Sequence, residues 1–358
     1  MTPAIPSDRI NQDRRTLIGT ATFAMTASLL FGAAPAQASD SRSRPARAAG
    51  SDGLIPFATI RQVEAGVLNV GYAEAGPADG PVVLLLHGWP YDIHAFADVA
   101  PMLAAAGYRV IIPHLRGYGT TRFLLEETPR NGQQAALATD MVALMDALGI
   151  AKAVVGGFDW GARTACIVAA LWPERCKALV SVSGYLIGSQ AQNRMPLPPK
   201  AELLWWYQYY FATERGEAGY RQNTHDFARL IWALASPQWR FDDAVFRRSA
   251  AALDNPDHVA ITISNYRWRL GLADGEARYD SIETSLAAFP LIGVASITLE
   301  GDANGAPHPE PATYAAKFIG PYGHRTIAGG IGHNLPQEAP AAFVQAVIDA
   351  DRLSEGGL

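Results

Sequence analysis

The sequence predicts an α/β fold, a mostly parallel sheet with helices on both faces and a helical insertion late in the chain. Three observations carry that expectation. Pro81-Val82-Val83-Leu84-Leu85-Leu86 is a continuous apolar run, the mark of a strand buried on both faces. The stretch Ala153-Val154-Val155-Gly156-Gly157-Phe158-Asp159-Trp160-Gly161-Ala162-Arg163 leads a β-branched strand through Gly-x-Asp-x-Gly straight into a small-residue helix. Strand-like and helix-like runs then alternate at a spacing that fits one helix between parallel strands.

Taken in order, residues 1–38 read as an export signal. Asp13-Arg14-Arg15-Thr16-Leu17 precedes an uncharged, mildly apolar run from Ile18 to Ala34, and Ala36-Gln37-Ala38 supplies a small-x-small cleavage site. The paired arginines are of the twin-arginine type, which implies a periplasmic or secreted product. A membrane anchor needs about 20 strongly apolar residues, and this run is diluted by Thr, Ser and Gly, so no stable anchor is expected after cleavage. Residues 39–55 form a Ser/Arg/Ala linker.

The core is expected in two parts, residues 56–183 and 287–352. Ala58 to Val70 and Asn69 to Glu74 read as an opening antiparallel pair. The apolar strand from Pro81 ends at His87-Gly88-Trp89-Pro90 and is followed by a helix over Phe96 to Ala106 and a strand over Tyr108 to Pro113. The loop His114-Leu115-Arg116-Gly117-Tyr118-Gly119 leads to a helix over Gln133 to Leu148, the Asp159 turn, and a strand over Ala178 to Ser183. Gly157 and Gly161 flank that turn because side chains there would collide where strand and helix cross. Regularity breaks over residues 184–286, which hold five of the eight tryptophans and the run Trp205-Trp206-Tyr207-Gln208-Tyr209-Tyr210-Phe211. This segment reads as a helical lid over the strand ends. Sheet pattern resumes over Leu291 to Leu299, then a helix at Ala312 to Phe318, a strand at His324 to Ile327 and a last helix over Ala339 to Ala350.

Composition excludes several roles. The formal net charge is −5 with no Lys/Arg stripe, so nucleic acid is not an expected partner. The eight histidines are dispersed, with no metal-ligand spacing among them. No cofactor is expected, because protein groups cover every role in the chemistry below. Cys166 and Cys176 say little: Cys166, in the helix after the Asp159 turn, is read as a small buried thiol, and a disulfide is not indicated. Oligomeric state is not legible.

As a set, His87-Gly88-Trp89-Pro90, Arg116-Gly117-Tyr118-Gly119, the Asp159 turn with Trp160 beside it, and the late Gly332-His333 resemble the epoxide hydrolase branch of the α/β-hydrolase superfamily, to which haloalkane dehalogenases are close. The likeness runs from about Phe57 to Asp349. It implies an eight-stranded sheet with the lid inserted after the sixth strand. The residues support the same chemistry independently. A carboxylate attacking an ester would give a mixed anhydride, whereas attack on a saturated carbon gives an ordinary ester, so Asp159 suits epoxides or alkyl halides. That ester then needs a general base, for which His333 in the loop Gly329-Gly330-Ile331-Gly332 is placed.

The resemblance implies further roles. The backbone N–H groups of Trp89 and Trp160 are the expected oxyanion donors. Tyr266 is expected to protonate the departing epoxide oxygen, together with one of Tyr207, Tyr209 and Tyr210, Tyr207 being preferred. His87, Trp160, Tyr209 and Tyr210 are counted as substrate contacts. The orienting acid for His333 departs from the family pattern: Glu300-Gly301-Asp302-Ala303-Asn304 places Asn304 where a carboxylate is expected, with Asp302 as the substitute. His114 replaces the Asp that usually precedes Arg-Gly-Tyr-Gly. The expected reaction is opening of small apolar epoxides to diols. The rival readings are haloalkane dehalogenation by the same Asp159 and a non-catalytic periplasmic ligand-binding homologue.

Overall fold

The computed structural model describes residues 57 and 59–356. The expected export signal and linker lie outside the described residues. Nine strands form one sheet: β1 (Arg61–Ala65), β2 (Leu68–Ala75), β3 (Val82–Leu86), β4 (Arg109–Pro113), β5 (Arg122–Phe123), β6 (Ala153–Gly157), β7 (Cys176–Val182), β8 (Ala295–Gly301) and β9 (Tyr322–Ile327). Eight of them lie in the order β1-β2-β4-β3-β6-β7-β8-β9, and the two-residue β5 pairs with β2 off that path. The expectation of eight strands therefore misses β5, too short to carry a period. β1/β2 and β2/β4 are antiparallel, and from β4 to β9 the pairing is parallel.

The strands of the parallel part carry the burial that their apolar runs imply: Val83 to Leu86 and Ala153 to Gly157 are buried throughout. Helices Gln134–Ala147 and Trp160–Leu171 pack together on the sheet, as do Val99–Ala105 and Pro340–Ser354 with each other. The chain leaves β3 for β4 on one side and later returns to β6 on the other, so a crevice opens at the C-terminal ends of β3 and β6. Their register sets Leu86 opposite Gly157. The loops that follow, one with Gly88-Trp89 and one with Asp159, therefore leave the sheet side by side.

Several boundaries differ from expectation, two of them for a visible local reason. The strand expected from Leu291 begins at Ala295, because Phe289 takes a left-handed φ of 52°, Pro290 follows, and Ile292 makes only an isolated bridge to Phe318. The helix expected from Phe96 splits into a 3-10 turn, Ile93–Phe96, capped by Asp92, and a helix beginning at Val99. Between β7 and β8 the chain is helical, as the lid expectation has it. Its main helices are Trp206–Ala212, Glu214–Gln222, Thr224–Ala235, Asp243–Ala250 and His258–Arg269. Trp232 anchors this segment to the core: its ring stacks on Tyr91 at 4.9 Å and its indole N–H donates to the Pro90 carbonyl at 3.0 Å. Cys166 and Cys176 are both free and buried.

Candidate active site

At the turn after β6, Asp159 has φ 54° and ψ −122°, a conformation costing about 1–3 kcal/mol for a non-glycine residue and held here by its surroundings. The flanking glycines are what the crossing demands. A Cβ on Gly161 would lie 2.0 Å from the Leu86 carbonyl oxygen, and one on Gly157 would lie 2.6 Å from the Gly161 carbonyl carbon. From the β3 side Trp89 donates its backbone N–H to Asp159 Oδ1 at 2.8 Å, and the Trp89-Pro90 peptide that follows is cis. His333 brings Nε2 to 3.5 Å from Oδ2. Burial works against the charged carboxylate. His333, Arg163 and the Trp89 N–H outweigh it and hold the Asp159 carboxyl below its ordinary range. Trp160 opens the following helix at its first turn, where N–H groups have no intrahelical acceptor.

The surroundings of His333 depart from expectation. Asp302 accepts the N–H groups of Gly329, Gly330 and Ile331, each at 2.9 Å, so it ties down the loop and does not touch the ring. Asn304 donates to Glu300 Oε1 at 2.7 Å and to Ser183 Oγ at 3.3 Å, while its Oδ1 accepts the Ala306 N–H. Neither orients His333, whose buried Nδ1 has no hydrogen-bond partner among the described residues. What holds the residue is its backbone. The His333 N–H donates to Ser236 Oγ at 2.9 Å, Ser236 donates to Glu338 Oε1 at 2.7 Å, and Glu338 Oε2 accepts the Gly332 N–H at 2.8 Å. Neither residue belongs to a sequence motif: Glu338 is near in sequence, five positions after His333, and Ser236 lies 97 residues before it.

Tyr207, on helix Trp206–Ala212, and Tyr266, on helix His258–Arg269, line with Asp159 and His333 a cavity of about 770 Å³. Their rings meet edge to face at 5.3 Å, and each lies 5.2 Å from the Trp89 ring. Burial raises both phenols, so they stay protonated. Of the three tyrosines weighed as the partner, Tyr209 is 49% exposed at the rim and bonded to Glu202. Tyr210 stacks on Phe227 at 6.0 Å and does not line the cavity, which corrects its expected substrate contact. His87 is likewise corrected. It is fully buried beneath the site, its Nε2 accepts the Leu115 N–H at 3.2 Å, and burial lowers it to about 4.

Two features were not read from the sequence. The Trp89 indole N–H donates to Tyr220 Oη at 2.8 Å, Tyr220 bonds His258 Nε2 at 2.8 Å, and His258 Nδ1 reaches the Gly117 carbonyl at 3.0 Å. This buried chain fixes the Trp89 ring. Arg163 and Arg269 also line the cavity, so its lining is mixed and not simply apolar. Among the described residues no group of three or more His, Cys, Asp or Glu could hold a metal ion, and no helix is long and apolar enough to cross a membrane.

The family described as "alpha/beta hydrolase fold" matches residues 81–264. A Klebsiella pneumoniae protein of known crystal structure, described as a candidate epoxide hydrolase, is 68% identical, with a TM-score of 0.82 over 83% of this chain and 98% of that one. Epoxide hydrolase B of Mycobacterium tuberculosis is 37% identical over 150 residues, which are 38% of this chain and 41% of that enzyme, so the match spans less than half of the relative. Epoxide hydrolase A of the same organism is 28% identical over 322 residues, 81% of this chain and 96% of that enzyme. With these matches added to the Asp turn and its cavity, the chain belongs to the epoxide hydrolase-like enzymes of the α/β-hydrolase superfamily.

Proposed function

We propose that the protein opens epoxides to diols through a covalent ester on Asp159. The observation that carries the reading is the convergence on one carboxylate: His333 Nε2 stands 3.5 Å from it, and the two lid phenols share its cavity. Asp159 attacks a ring carbon, the C–O bond breaks, and the departing oxygen takes a proton from Tyr266 or Tyr207. Water deprotonated by His333 then attacks the ester carbonyl. The Trp89 N–H, already aimed at Oδ1, and the Trp160 N–H receive the oxyanion. Collapse releases the diol, and the proton on His333 restores the tyrosine.

Dehalogenation finds less support. A halide needs two donors, and the Trp89 indole N–H is taken by Tyr220. That leaves the Trp160 indole, without a hydrogen-bond partner among the described residues, and no second tryptophan N–H to pair with it at a halide. The test is His333→Gln incubated with small epoxides and haloalkanes and weighed as intact protein. Removing the base traps the ester. A mass gain equal to the whole epoxide is the expected result. A gain short of the halogen would replace the reading with dehalogenation, and no gain with any compound would sink both in favour of a non-catalytic binder.

The proposed cellular site is outside the cytoplasm. Arg14-Arg15 and Ala36-Gln37-Ala38 support it, and the N-terminal sequence of protein recovered from a periplasmic fraction tests it. A start before residue 30 would count against cleavage at Ala38.

A further inference from the structure

We infer that the cavity takes an epoxide that also bears a carboxylate, with Arg163 and Arg269 holding the anionic group; this rests on the epoxide reading above. Both arginines line the same cavity as Asp159, Tyr207 and Tyr266. Arg163 stands on helix Trp160–Leu171, one turn after Asp159, and its Nε–H donates to the Leu186 carbonyl at 3.1 Å. That is the one hydrogen bond of its side chain among the described residues. Arg269 ends helix His258–Arg269, and its guanidinium makes neither a hydrogen bond nor an ion pair among the described residues. Its guanidinium lies over the Trp205 ring at 4.5 Å and the Tyr266 ring at 5.7 Å. The contrast with Arg267 on the same helix is direct, since Arg267 pairs with Glu217 at 3.0 Å.

An arginine kept for structure is ordinarily paired when it is partly buried, because an unpaired buried charge is costly. Here two cations face one cavity without a carboxylate partner. Burial, and then the charge of Arg163, lower Arg269 to about 10, which leaves it charged at neutral pH and pressed by its neighbour. The nearest acids, Asp159 and Glu283, feel the charge of Arg163 but form no ion pair with either guanidinium among the described residues. Asp159 is committed to Trp89 and His333. Glu283 accepts from Gln133, Gln134 and the Ala135 N–H, and makes no ion pair. Glu202 at the rim is bonded to Tyr209. A carboxylate has two coplanar acceptors that match a guanidinium fork, and a water-poor pocket strengthens the pairing. One helical turn is about 5.4 Å, so the carboxylate sits within a few carbons of the ring that Asp159 attacks.

The test separates binding from turnover. Binding of 3-phenylpropanoate and of 3-phenylpropanamide is measured by calorimetry on the parent protein. The carboxylate is expected to bind at least about tenfold more tightly, and the ratio to shrink below about threefold in Arg163→Gln/Arg269→Gln, with each single variant between. Turnover is compared with 3-phenylglycidate and its amide, the carboxylate again preferred by kcat/KM. Carboxylate-selective binding with neither epoxide opened would keep the anion subsite and defeat the reaction. Equal binding of acid and amide, or binding of neither, would overturn the subsite whatever is hydrolysed. The parent-protein comparison stands even if the double variant fails to fold.

Discussion

Removing the Tyr266 hydroxyl is the sharpest probe of the ring-opening step. Tyr266 packs against Trp89 at 5.2 Å, Tyr207 at 5.3 Å, Phe211 at 5.4 Å and Trp160 at 6.0 Å. Tyr266→Phe keeps every one of those ring contacts and deletes only the proton source. A general acid contributes about 10²–10⁴-fold, or roughly 3–5.5 kcal/mol of barrier. Tyr207 and Tyr266 meet edge to face in the cavity, so the loss of one leaves a second donor beside it and a single variant should fall by about 10–10²-fold. Tyr207→Phe should behave alike. The double variant should reach about 10³-fold or more, because no acid of suitable range then remains over Asp159.

The assay is the rate of ester formation in the His333→Gln background, read by intact mass, which isolates ring opening from ester hydrolysis. Substrate affinity, from the concentration dependence of that rate, should change little beside the rate itself. A double variant within threefold of its parent would refute the assignment of both phenols. A single variant as slow as the double would show that one tyrosine acts alone.

Four more outcomes follow from named contacts. Asp140→Asn breaks the buried pair in which Arg116 donates through Nε and Nη2 at 2.7 Å each, and should cost about 3–5 kcal/mol in urea unfolding; under 1 kcal/mol would contradict it. Gly88→Ala puts a Cβ 2.3 Å from Asp159 Cβ and 2.6 Å from Oδ1, so ester formation should drop at least about 10²-fold with far-UV dichroism kept, and a parent-like rate would mean that the contact yields. Because His333 Nδ1 has no hydrogen-bonded acid among the described residues, no carboxylate backs the imidazolium directly in ester hydrolysis, so the parent enzyme should accumulate the ester at saturating epoxide; quenched intact mass showing only free enzyme would disprove this. His87, His114 and His258 are lowered by burial to about 4, 4 and 3, so the unfolded chain binds protons first: their stability is full above about pH 6.5 and is lost below it at about 1.4 kcal/mol per histidine per pH unit. Urea midpoints between pH 7 and 5 check this, and a flat profile would count against it.

The parts of the site legible in the sequence are those built from local chain geometry. Gly-x-Asp-x-Gly dictates the turn because Gly157 and Gly161 answer to backbone atoms a few residues away or on the neighbouring strand. The apolar run to Leu86 dictates a central strand, and its register with β6 then brings Trp89 to Asp159 without further instruction. Helical periodicity separates Tyr207 from Tyr209, two positions on and about 160° round the helix, which sits at the rim. It does not separate Tyr207 from Tyr210, three positions on and near the same face; there the stack on Phe227 draws the ring off the cavity.

Counting from a glycine does not fix the frame of the loop after β8. Asn304 sits at the expected offset, yet its N–H donates to the Gly301 carbonyl at 3.2 Å and its side chain donates to Glu300, so the turn closes on the end of β8 and away from His333. A buried carboxylate at Glu300 captures the nearest amide, and no spacing rule along the chain contains that competition. The cavity charge was missed for the same kind of reason. Arg163 lies in the best-recognised motif of the chain and Arg269 in the least regular segment, and neither is unusual alone. Their meaning arises only when the fold sets both on one cavity and gives neither a carboxylate. Reaction type is therefore carried by residues that the backbone positions locally, while substrate choice is carried by a juxtaposition between core and lid.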